Sequence, residues 1–370
     1  MSNNNNLKTL VEKCPVSLGL FNQQGCYDVM TAFNIANHLH MHGFFVEAAV
    51  FYQEAINYRR LDPDGHPSEA ILLQVKLLCL IKASHKTSRK DFARLYELSE
   101  ELFNYISAVK FYYDKRLNAV DTLAQINCTY ELFHTGEEID AIYLRLIYQA
   151  MLSADLPERQ SQRTIPKNMY FYWDKNIPKD VEENIQYHKQ FSKFNVEFFD
   201  KEKAVEWLHD VYGREAKTLF LKARHPAEEA DILRVHVIDL YGGFWVDADL
   251  KIVSEELFYK TIPWHYDHVF MMTDGFFVHN DFFGSVANSA ILKDCLLSLY
   301  SNCYKYEGLF ISYKTGPGVF MRAINRSIHR YLQGKQGDFP SMKLLDHAFF
   351  ERVSEQYPVQ YKQNGSWSMV

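Results

Sequence analysis

Apolar positions in roughly the first 155 residues recur at helical spacing, helix after helix, with one strong cluster of breakers, "LDPDGHPSE" at 61–69. From about residue 163 the period changes. "NMYFYW" (168–173) predicts a buried strand, "VEENIQYHKQF" a helix, "VEFFD" a second strand and "KEKAVEWLHDVYG" a helix ending at Gly213. In "HPAEEADILRVHVIDLYGG", Pro226 suits a first helical position, Glu228 and Glu229 fall in the first turn, and Gly242-Gly243 lie past the end. Ala230, Leu233, Val237 and Leu240 form its expected core stripe. "FWVDADL" then predicts a strand that ends in two aspartates. Strands alternating with helices imply a largely parallel sheet with helices on its faces. The pattern therefore divides the chain into an all-α domain (1–155) and an α/β domain (156–370).

Composition narrows the classes. At 370 residues, 47% hydrophobic and 15% aromatic, the chain can bury a sizeable core in two domains. A net charge of −6 leaves no basic surplus for phosphate backbones, so nucleic acid is not an expected partner. The longest apolar stretch, "AILLQVKLLCLIKA", is short and contains Gln74 and Lys76, so no membrane span is expected. "MSNNNNLKTL" lacks the features of a signal peptide. The six cysteines show no CxxC pair and read as buried thiols, and the expected location is cytoplasmic.

In the helical half, "AFNIANHLHMHGFFVEAAVFYQEAI" places small residues at Ala36, Ala48 and Ala55 around a turn at Gly43, which lets two antiparallel helices approach closely. The stretch resembles one tetratricopeptide (TPR) repeat. A generic helix bundle is the other reading. A TPR-like surface would recruit a polypeptide acceptor or dock a partner.

The chemistry concentrates in "YGGFWVDADLK". Strands avoid aspartate, and residues i and i+2 of a strand share a side, so Asp247 and Asp249 would repel unless something positive intervenes. Either the pair lies on a solvated turn or it holds a cation. Carboxylate oxygens suit Mg²⁺ or Mn²⁺, which bridge protein acids to nucleotide phosphates. Ligands of open α/β sheets bind beyond the carboxyl ends of strands, where Trp173, Asp174, Asp247 and Asp249 all fall. A lone D-x-D is weak, but here it follows Asp231 and Arg234 three apart on a helix, then Gly242-Gly243 and an aromatic strand.

That block resembles the glycosyltransferases with a DxD sugar-nucleotide motif. More closely it resembles the family of yeast-type initiating α-mannosyltransferases and bacterial capsule sugar transferases, and more distantly the clostridial glucosylating toxins. "IPKNMYFYW", "NDFFGSVANSAIL", "TGPGVF" and the C-terminal "GSW" are similar to further family segments, so the resemblance spans about residues 163–368. "YKQNGSW" departs from the histidines the family often has before its Ser-Trp. Asn364 and Ser366 are then the candidate C-terminal ligands.

The resemblance implies a GT-A fold and a metal-dependent hexosyltransferase. Such an enzyme moves a sugar, with retention of configuration, from a UDP- or GDP-linked donor to an acceptor hydroxyl on a glycan or protein. It implies Asp249, with Asp247, on Mn²⁺ or Mg²⁺; Asp231 and Arg234 on the sugar; Tyr172 and Trp173 near the base; and Ser366 and Trp367 closing over the diphosphate. His225, His236, His265, His268 and His279 show no ligand spacing and read as structural; Asn288-Ser289 reads as a helix cap. Two alternatives remain. One is a helical-repeat scaffold whose second half binds nucleotide-sugar without turnover. The other is a haloacid-dehalogenase-like phosphatase, against which Lys251 stands where that class places threonine.

Overall fold

The computed structural model describes residues 2–63, 67–114, 138–305 and 309–357. The chain divides into two compact units, Met1–Phe133 and His134–Val370.

The first unit contains, among the described residues, α1 (Ser2–Val11), α2 (Pro15–Gln24), α3 (Val29–Met41), α4 (Phe45–Arg59), α5 (Glu69–Lys82), α6 (Arg89–Leu98) and α7 (Glu100–Tyr113). Side chains close the helix starts. Asp28 and Thr31 form a capping box on α3, and Ser68, Ser88 and Ser99 cap α5, α6 and α7. Gly43, at φ +80°, turns the chain between α3 and α4. Ala36, Ala48, Ala55 and Tyr52 are fully or almost fully buried, so the small residues do admit close helix packing.

The second unit opens with α8 (Glu138–Leu152), which the sequence pattern groups with the helical half. Buried partners place it here instead. Asp140 accepts from Arg322 Nη2 at 3.1 Å and from Asn325 Nδ2, and all three are at most 1% exposed. Periodicity alone could not assign α8, because an amphipathic helix reads the same in either unit.

The α/β core follows: β1 (Asn168–Tyr172), α9 (Lys179–Lys189), β2 (Asn195–Phe199), α10 (Lys201–Tyr212), α11 (Arg214–Leu221), α12 (Pro226–Tyr241), β3 (Gly243–Val246), β4 (Leu250–Ile252), α13 (Glu255–Thr261), β5 (His268–Met272), β6 (Val278–Ser285), α14 (Ala290–Lys305), α15 (Ile311–Lys314), α16 (Pro317–Leu332), β7 (Met342–Leu345), α17 (His347–Val353) and β8 (Ser354–Gln356). Six strands form one sheet in the order β2-β1-β3-β6-β5-β7, and β4 pairs with β8 in a second. In the six-stranded sheet β6 alone runs against its neighbours, so the sheet is largely parallel. Strand alternation sorts its faces. Met169, Phe171, Phe244, Val246 and Phe282 enter one apolar cluster, while Tyr172 and Trp245 point to the other face and reach α12.

Two features differ from the sequence expectation. α12 is buried around its whole middle, Asp231, Arg234, His236 and Asp239 included, whereas Ala230 and Leu240 of the expected stripe are only half-buried. Paired charges let a helix bury its polar side as well. The aspartate pair also lies off the strand: β3 ends at Val246, and Leu250 N donates to Asp247 O at 2.9 Å across a tight turn.

Candidate functional site

β1 and β3 are parallel neighbours, so their carboxyl ends open on the same edge. There a cleft of about 360 Å³ is lined by Tyr172, Trp173, Asp174, Lys175, Asn176, Pro178, His225, Pro226, Ala227, Ala230, Asp247, Ala248 and Asp249. Both aspartates of the pair, Trp173 and the first turn of α12 therefore share one cavity.

α12 meets β3 through two glycines in left-handed backbone. A Cβ on Gly242 (φ +64°) would come within 2.7 Å of Ala287 N, and one on Gly243 (φ +113°) within 2.7 Å of Asn168 O. This junction brings Arg234, on the helix, against Asp247, just past the strand. Arg234 Nη2 donates to Asp247 Oδ1 at 2.8 Å and Oδ2 at 3.2 Å, while Nη1 reaches Asp231 Oδ1 at 3.0 Å and Asn280 O at 2.9 Å. The guanidinium lies over the Trp245 ring, whose Nε1 donates to Asp247 Oδ1. Arg234 thus places a positive charge against Asp247, the first acid of the pair.

Asp231 is closed in on every side. Asn280 Nδ2 and Thr315 Oγ1 each donate to it at 2.8 Å. Burial nevertheless pushes its carboxyl up to about 6, against the pull of Arg234. Burial likewise raises Asp247, with Arg234 opposing and the charges of Asp249 and Asp281 adding to the rise. The Asp247 side chain keeps 28% exposure toward the cleft; Arg234 keeps 3%. Asp231 and Arg234 are not among the residues that line the cleft; Arg234 pairs with both Asp231 and Asp247 behind it.

Several contributors were not singled out by sequence reasoning. Asn184 on α9, almost fully buried, donates to Ala248 O and Leu250 O and so clamps the aspartate turn. Tyr172 donates to Glu229, which Lys201 also binds. Asp281 accepts from Asp247 N through its backbone oxygen, and its carboxylate meets His279 Nδ1 at 3.0 Å. Asn280, Asp281 and Thr315 do lie within motifs that carried the resemblance, and that was their available signal. Asn184 had none. His225 caps α12, His236 and His268 are buried, and His279 stacks on Phe350 and meets His347 Nδ1 through its Nε2 at 3.2 Å. Ser289 caps the start of α14 by accepting from Leu292 N. Asn364, Ser366 and Trp367 lie outside the described residues, as does Cys128; the five described cysteines are buried.

No group of three or more His, Cys, Asp or Glu side chains with metal-holding geometry occurs among the described residues. Two acids on one cleft still fit Mg²⁺ or Mn²⁺, which keep several waters and take further oxygens from phosphates. A cation would offset the Asp249 and Asp281 charges that add to the effect of burial on Asp247.

These features define an open-sheet α/β domain with an acid-bearing ligand cleft at the carboxyl ends of its parallel strands. The sequence model of the capsular polysaccharide synthesis protein family matches residues 134–365, and the chain belongs to that family. The match starts where the second structural unit does. A solved structure titled PaToxG glycosyltransferase is similar at 17% identity with a TM-score of 0.37, covering 54% of this chain and 82% of that chain. No curated protein matches the sequence. No described helix is long and apolar enough to cross a membrane.

Proposed function

We propose that the second unit is a glycosyltransferase that takes a sugar from a nucleoside diphosphate donor to an acceptor hydroxyl. One observation carries this reading: Asp247 and Asp249 share a cleft with Trp173 and Tyr172 at the carboxyl ends of parallel strands. Membership in a capsule-synthesis family agrees with it. Trp173 would lie against the base, and Asp249 with Asp247 would hold Mn²⁺ or Mg²⁺. That ion, when bound, neutralises charge on the departing diphosphate. Arg234, fixed by Asp231 and Asn280, favours the ionised form of Asp247 against its burial and aims it at the cleft. The leaving phosphate can take the acceptor's proton in a retaining transfer, so no separate base is needed. The helical unit would select a polypeptide or glycan acceptor.

The test is a panel of UDP- and GDP-sugars, with and without Mn²⁺, scored for hydrolysis by the wild type and Asp249→Asn. Hydrolysis should require the metal and fall at least 100-fold in the variant, with an unchanged melting temperature. An Asp249→Asn enzyme with the same Mn²⁺ dependence would refute the metal assignment. Donor binding without turnover in the wild type would favour a nucleotide-sugar-binding scaffold.

A further inference from the structure

His225 reads as structural in the sequence, and one of its ring nitrogens does serve the helix. Ala227 N donates to His225 Nδ1 at 3.1 Å, which caps α12 directly before Pro226. The same ring lines the acid-bearing cleft. The cap fixes its chemistry. A ring nitrogen that accepts a hydrogen bond carries no hydrogen, so the ring's hydrogen sits on Nε2. Among the described residues Nε2 has no hydrogen-bond partner.

The other polar groups of the cleft are committed or mobile. The Tyr172 hydroxyl donates to Glu229 at 2.6 Å and Trp173 Nε1 to Lys175 O at 3.1 Å, so neither ring has a donor left for a ligand. Asp174, Asp247 and Asp249 bring carboxylates, which accept when ionised. Lys175 and Asn176 can donate, but both are exposed on the loop after β1. An exposed side chain loses rotamer freedom when a ligand fixes it. His225 is therefore the donor whose atom and orientation are set in advance. Along α12 it is followed by Pro226, Ala227 and Ala230, which give the same cleft small apolar surfaces.

Apolar surface with one preset N–H suits a planar heterocycle that carries a keto oxygen. Uracil and guanine carry one where cytosine and adenine carry an amino group, and an amino group would set N–H against N–H. A site built around a hydrogen bond rejects the analogue that cannot make it. We propose that His225 Nε2 donates to the keto oxygen of the donor's base and so selects uracil or guanine over cytosine or adenine. The proposal rests on the nucleoside diphosphate donor assigned above, and adds the residue that chooses its base.

UDP, CDP, GDP and ADP are each titrated into the full-length protein with Mn²⁺ in a calorimeter. UDP should bind about tenfold more tightly than CDP, or GDP than ADP. The tighter of the two keto nucleotides identifies the base. Asparagine is itself a favoured N-cap but has no second ring nitrogen. His225→Asn should therefore keep the melting temperature, weaken the keto nucleotide about tenfold and bring the keto-to-amino ratio close to one. A histidine that only caps the helix would leave that ratio unchanged. His225→Ser, another favoured cap, serves if His225→Asn does not fold. Equal wild-type affinity for keto and amino nucleotides, or a folded variant with the wild-type ratio, would overturn the proposal and leave the donor reading standing. Failure of all four nucleotides to bind would overturn both.

Discussion

Each unit buries arginine, but each solvates it differently. In the helical unit Arg59, 4% exposed, donates to the backbone oxygens of Pro67 and Asp62, and the Asp62 carboxylate 3.5 Å away is 77% exposed. In the α/β unit, Arg322 and Arg234 face the carboxylates of Asp140, Asp231 and Asp247. Where an arginine ties down a loop, backbone carbonyls and an exposed carboxylate meet it. Buried carboxylates meet the arginines that seat a helix or aim a cleft acid. A buried ion pair gives little net stability, yet removing one partner is costly because the other is left uncompensated.

The sharpest break in this contrast is Asp140→Ala, which strands the Arg322 guanidinium. It should cost about 3–5 kcal/mol in urea unfolding of the α/β unit. For the same reason a fragment beginning at residue 156 should fail to fold, while one beginning at residue 134 should be soluble and retain donor hydrolysis. An unchanged urea midpoint for Asp140→Ala would show that α8 is dispensable.

Next comes the direct comparison of Arg234→Met with Arg59→Met. The first leaves Asp231 and Asp247 without their shared cation; we expect a loss of about 3 kcal/mol and at least 100-fold lower donor hydrolysis. The second removes the bonds to the Pro67 and Asp62 carbonyls and the contact with the exposed Asp62 carboxylate, for about 2 kcal/mol, with hydrolysis unaffected. Equal losses of activity would mean that the two arginines are not used differently.

The smallest effect is on pH dependence. Burial holds His188, His236 and His268 of the α/β unit at about 4, below their ordinary 6.5. The unfolded chain binds those protons more readily, so stability is lost as pH falls from 6.5 toward 4. Asp231 acts oppositely. With its carboxyl raised to about 6, the folded form takes the proton first, and stability is gained as pH falls from 6 toward 3.8. Asp231→Asn removes that opposition, so the acid-side loss should steepen by at most about 1.4 kcal/mol per pH unit. Parallel curves for wild type and variant would contradict the raised carboxyl.

Much of this was legible because local chemistry decided it. Pro226 and Gly242 bracket α12 as the capping rules require, and the Gly43 turn with its small residues gave the α3–α4 pair. The acids past β3 pointed to the cleft edge once the strands were known to be parallel. What escaped the sequence was settled by distant partners. Asn184 looks like any polar residue on an amphipathic helix, and its clamp on the aspartate turn exists only in three dimensions. Asp140 and Arg322 are 182 positions apart. The expected stripe on α12 holds at Leu233 and Val237, but the helix is buried more widely because Asp231 and Arg234 pair with each other, which apolar periodicity cannot register.

The glycine pair between α12 and β3 leaves no slack in the drive from helix to strand. One inserted residue would turn the helix face by about 100°, and one slipped residue would put Asp247 on the opposite side of the sheet. A side chain at either glycine would collide with backbone before any such adjustment could begin. Residues 226–249 therefore behave as a single machined part. Anyone re-engineering this domain must transplant helix, junction and aspartates together, because exchanging any one of them alone strips the gear.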